Sequence, residues 1–189
     1  MPRTFLLRRL LPSALLFLAL PVGAVGIDFL LHAAGAGWIG EWAGPLGSAL
    51  LVVSFAYSLR KRRLIRAGNP AALLRVHEVL SWTAALLLVV HGGVHFNAWI
   101  PWLGILALLV VTASGLAGRH LLADARRALA AAQAELRAQS FTESEIGERL
   151  ISLALLTGAM QRWRRVHMPV TAVFAGLALV HVVATILLW

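Results

Sequence analysis

Seven histidines are spread through a chain of 189 residues, and four of them form two pairs with the same spacing. Arg75-Val76-His77 is followed fourteen residues after its histidine by His91, and Arg165-Val166-His167 is followed at the same interval by His181. Both stretches are apolar, reading VHEVLSWTAALLLVVH and VHMPVTAVFAGLALVH. On an α-helix, fourteen residues rise about 21 Å and bring the side chain back to within about 40° of its starting direction. Each stretch therefore aims two imidazoles along one face at two depths. Imidazoles paired across two such helices are axial-ligand chemistry for two stacked haems, His77 with His167 and His91 with His181. An iron held by two histidines has no open position for oxygen chemistry, so such sites favour electron transfer.

The composition says what kind of chain must position them. Sixty per cent of residues are hydrophobic and 13% are charged, which excludes an ordinary soluble domain and indicates an integral membrane protein. There is no cysteine, so disulfides, cysteine-ligated iron–sulfur clusters and thiolate catalysis are excluded for this chain. The formal net charge of +9 is read as a statement about membrane orientation, not about nucleic acid.

The expected fold is an all-α bundle of five transmembrane helices, near 10–31, 43–59, 71–96, 99–118 and 167–189. The leucine-rich first segment after Arg8 and Arg9 is read as a span and not as a cleaved signal peptide. All seventeen Lys and Arg fall before the first span, between the second and third, or between the fourth and fifth. The positive-inside rule puts those three segments in the cytoplasm, with the C-terminus on the periplasmic side of a bacterial-type inner membrane. Trp38, Trp42, Trp99, Trp102 and Trp189 then fall at outer boundaries, Trp163 falls at an inner one, and only Trp82 lies within a span. Residues 122–165 are expected to form a cytoplasmic helical hairpin, broken at Ser140-Phe141, with Thr142 and Glu145 as a capping box. The whole chain, 1–189, is read as one membrane domain whose haem-binding core is 71–189.

Other polar residues receive lesser roles. Arg75 and Arg165, at the inner boundary, suit haem propionates or membrane anchoring equally well. His95 is in phase with His77 and competes with His91 as ligand, but the fifth span has Thr185 at the equivalent place. His95, with Asn97, is therefore assigned to a propionate, a quinone or water. Asp28 and His32, one turn apart, read as an interfacial pair, and His120 lies at the cytoplasmic surface beside Arg119. Gly104, Gly115 and Gly118 let a helix or a flat macrocycle approach the fourth span closely. Each coordinating imidazole needs an acceptor for its second nitrogen, expected to be a backbone carbonyl or a hydroxyl.

Histidines at this spacing on the third and fifth membrane helices resemble the ferric-reductase-like transmembrane domain. They are also similar to cytochrome b of quinol–cytochrome c reductases. The resemblance covers about residues 71–189 and implies two b haems, with a quinone as a further candidate cofactor. Ferric-reductase-like domains usually have a sixth helix, whereas this sequence stops at Trp189, and it contains no G-x-G-x-x-G nucleotide fingerprint. The expectation is an electron-transfer subunit of an oxidoreductase, with membrane lipid, other redox subunits or a soluble donor or acceptor as partners. The competing expectation is a haem-free membrane protein that uses its histidines for proton or metal-ion transport. Glu78 is the only intramembrane carboxylate available to it.

Overall fold

The computed structural model describes residues 11–93, 99–116 and 122–188. His95, Asn97, Arg119, His120 and Trp189, together with Arg3, Arg8, Arg9 and Gly118, lie outside the described residues. Among the described residues the structure is helical and has no strand. The helices are α1 (Leu11–Ala33), α2 (Gly37–Ser54), α3 (Ala56–Lys61), α4 (Pro70–Gly92), α5 (Trp99–Leu116), α6 (Leu122–Ala138) and α7 (Glu143–Leu188). Five described segments are long and apolar enough to cross a membrane, the second of them comprising α2 and α3 together.

The distribution of apolar side chains is that of a chain solvated by lipid. Leu187 is 76% exposed, Ile186 74% and Phe29 71%, while the fully covered positions are mostly small or few. One interior cluster joins Leu20 of α1, Ala85 of α4 and Leu108 of α5, with Trp82 and Phe174 packed against it. A second joins Ala24, Ala43 and Val90. Helices meeting in hydrocarbon gain nothing from hiding leucine, so close approach through small residues takes over.

Local sequence accounts for most of the ends. Asn69 caps α4 by accepting a hydrogen bond from the Ala71 N–H at 2.9 Å, with Pro70 at the first helical position where its missing N–H costs nothing. At the start of α7 the expected capping box forms. Glu145 accepts from the Thr142 N–H at 2.8 Å, and the Glu145 N–H donates to the Thr142 hydroxyl at 3.4 Å. The turn before it carries Ser140 at φ +64°, and the Phe141 N–H returns to the Leu136 carbonyl. α6 and the first part of α7 pack against one another.

Three boundaries differ from expectation. α7 does not stop before the fifth span. It runs unbroken for 46 residues, about 69 Å, more than twice the roughly 30 Å of a hydrocarbon core. No glycine or proline lies between Gly158 and Pro169, and Pro169 is accommodated inside the helix. The stretch expected to be an outer loop, GAGWIGEWAGPLG, is largely the first three turns of α2. Its glycines are poor helix formers, but Gly44 and Gly47 are buried against α4, and packing overrides propensity. The same span then breaks at Phe55, and its last turn and a half is the separate helix α3.

Candidate functional site

α2 packs along α4 and α5 packs along α7. Between α4 and α7, Phe174 packs against the cluster that holds Ala85. The rings of His91 and His181 meet with centroids 6.5 Å apart and planes inclined at 63°. The four histidines are all partly buried. Of the two pairs expected from the spacing, His91 and His181 are in ring contact.

The second ring nitrogen is satisfied in three of the four. His77 Nδ1 donates to the backbone carbonyl of Ser54 at 3.1 Å, and His91 Nδ1 donates to that of Gly40 at 3.1 Å. A carbonyl can only accept, so the proton must sit on Nδ1 and the lone pair on Nε2. His167 Nδ1 lies 2.6 Å from the Ser114 hydroxyl oxygen, and that hydroxyl donates onward to the Val111 carbonyl at 2.7 Å. Where that hydroxyl donates to Val111, it accepts from His167 Nδ1, and the Val111 carbonyl is a second acceptor facing His167. These are the carbonyl and hydroxyl acceptors that a ligating imidazole requires. Among the described residues the His181 ring has no hydrogen-bond partner. It borders an apolar cavity of about 460 Å³ lined also by Trp99, Pro101, Val180, Ala184 and Thr185. Thr185, at the place corresponding to His95, spends its hydroxyl on the His181 carbonyl at 2.9 Å.

The inner pair has a further set of neighbours. Tyr57 of α3, the only tyrosine in the chain, stacks on His77 at 5.5 Å between centroids. Ser81 bridges the Ser54 hydroxyl at 3.4 Å and His77 Nδ1 at 3.5 Å. Lys61, one turn beyond Tyr57, lies within electrostatic range of His167. Arg75 and Arg165 are exposed, each two residues ahead of its histidine. Asp28 and His32 form the expected local pair at 3.3 Å, away from all four histidines in sequence and on a different helix. Trp82, between the two levels of α4, has a buried Nε1–H with no hydrogen-bond partner among the described residues.

The contribution of α2 and α3 was not anticipated, since the core was placed at 71–189. The sequence does carry a signal for it. Residues 49–54 read ALLVVS and residues 107–112 read ALLVVT, each in the helix that packs beside a histidine-bearing one. What is written twice is therefore a helix pair, α2 with α4 and α5 with α7. Among the described residues no group of three or more His, Cys, Asp or Glu could hold a metal ion. The donor set is two imidazoles per level. No family profile, curated protein or solved structure matches this chain.

Proposed function

We propose that this protein is a dihaem b-type membrane cytochrome that passes electrons between the two faces of a bacterial-type inner membrane. His77 and His167 hold the inner haem, and His91 and His181 the outer one. The observation that carries the reading is the outer pair. An iron held by both imidazoles, with bonds of about 2 Å and roughly 1.2 Å from nitrogen to ring centre, would need the ring centroids within about 6.4 Å of one another. The ring centroids of His91 and His181 stand 6.5 Å apart. A donor set of two neutral imidazoles per level suits a flat macrocycle that brings its own four nitrogens.

In this reading the chain's own groups do three things. The Ser54 and Gly40 carbonyls and the Ser114 hydroxyl keep protons on Nδ1, so that Nε2 of His77, His91 and His167 remains a donor to iron. The apolar clusters around Leu20 and Val90 keep water from the space between the levels. Lys61, Arg75 and Arg165 supply positive charge for carboxylates at the inner boundary. Haem, when bound, supplies the one-electron iron couple. Cationic segments at 60–66 and 119–165 set the N-terminus in the cytoplasm and the C-terminus outside, with α6 and the first part of α7 on the cytoplasmic side. Donor and acceptor are then a quinol or partner proteins on the two faces.

The test is a reduced-minus-oxidised spectrum of the purified protein. A b-type α-band at about 560 nm is expected for bis-histidine haem. Its absence, with protein folded in detergent, would leave the haem-free transport reading in its place.

A further inference from the structure

We propose that Gly44 of α2 is a positioning residue for His91, the seat on which that imidazole is held. A Cβ built on Gly44 would lie 2.7 Å from Cγ, Cδ2 and Cε1 of His91, closer than carbon atoms approach without something moving. Those are the three nearest atoms it would meet, so the conflict is with the imidazole above all. One turn earlier on the same helix, the Gly40 carbonyl accepts from His91 Nδ1 at 3.1 Å. The ring is thereby fixed twice by one helix, its Nδ1 edge by a backbone acceptor and its face by a backbone without a side chain.

The glycines around it behave differently. Gly47, one turn further along α2, would meet Leu88, the Ala84 carbonyl and Leu87 at 3.0–3.3 Å, a close approach of α2 to α4 that does not involve the imidazole. Gly23 of α1 would meet nothing within 4 Å. Tolerance to alanine at position 44 should therefore depend on whether residue 91 carries its ring. The two outer histidines also differ in kind: His91 is clamped by α2, while the His181 ring has no hydrogen-bond partner among the described residues.

The consequence for the outer haem rests on the reading above, but the consequence for the imidazole does not. The experiment uses the full-length protein in detergent with Gly44→Ala, His91→Ala, the double variant, and Gly23→Ala as the control for a helix glycine in open space. Two quantities are read: haem per polypeptide, and melting temperature. Gly44→Ala is expected to lose one of two haems while Gly23→Ala keeps both. Gly44→Ala is also expected to melt below the wild type, whereas Gly44→Ala/His91→Ala melts no lower than His91→Ala. Retention of both haems in Gly44→Ala would overturn the proposal. So would an equal drop in melting temperature from Gly44→Ala with and without the His91 ring. If the wild type carries no haem, the cytochrome reading fails, and the melting comparison alone still decides whether Gly44 seats His91. The His91→Ala background keeps that comparison available should Gly44→Ala alone not fold.

Discussion

The four histidines differ most in what holds their second nitrogen. Two use backbone carbonyls of α2, one uses the Ser114 hydroxyl, and His181 has no partner among the described residues. Losing the acceptor behind a metal-ligating imidazole typically costs about 10–100-fold in metal affinity. Ser114→Ala should fall at the low end, about tenfold, because the Val111 carbonyl already faces His167 as a second acceptor. Haem titration of the inner site, with the outer site as internal reference, measures this. An unchanged inner affinity would remove Ser114 from the site. The four histidines stand out in the sequence because Arg-Val-His and the fourteen-residue interval both occur twice. Their acceptors were not, because a backbone carbonyl such as Gly40 or Ser54 leaves no trace in residue type. Only a helix neighbour 23 or 51 residues away brings it into reach.

At the scale of elements, what could be read depended on whether local chemistry or packing set the boundary. The turn between α6 and α7 was legible at Thr142 and Glu145, since a capping box is a local device. Arg137 adds a bidentate pair to Glu143 at 2.8 and 3.2 Å, and the Arg149 guanidinium lies 4.1 Å from the centre of the Phe141 ring. The Arg137 hydrogen bond and charge hold the Glu143 carboxyl below the usual carboxylate range, and the Thr142 N–H and hydroxyl do the same for Glu145. Groups with depressed folded values stabilise above the ordinary carboxylate range and lose that contribution as pH falls through the lowered values. The turn should therefore be constant from neutral pH to about pH 5 and loosen below about pH 4. The chain lacks cysteine, so spin labels at Ala134→Cys and Glu148→Cys report the α6–α7 distance without background. A distance distribution that does not broaden on acidification would contradict this assignment. By contrast, the start of α2 and the run-through of α7 were set by burial of Gly44 and Gly47 and by the want of any breaker before Pro169. Neither is announced by propensity.

For the whole molecule, the arrangement is two helix pairs, α2 with α4 and α5 with α7, with His91 and His181 in contact between them. The pair as the repeated unit explains why ALLVVS and ALLVVT precede the two Arg-Val-His helices, and why residues from 40 to 57 join a site first placed at 71–189. Leucine, isoleucine and valine are exposed over much of the outer surface, while the buried positions are mostly alanine and a few leucines. The central claim is that His77 with His167 and His91 with His181 are two separate haem sites. The measurement that tests it most directly is haem per polypeptide in the wild type beside His181→Ala. The account predicts two haems falling to one, with the remaining spectrum that of a bis-histidine b haem. Two haems retained in His181→Ala, or both lost together while the protein stays folded, would contradict it.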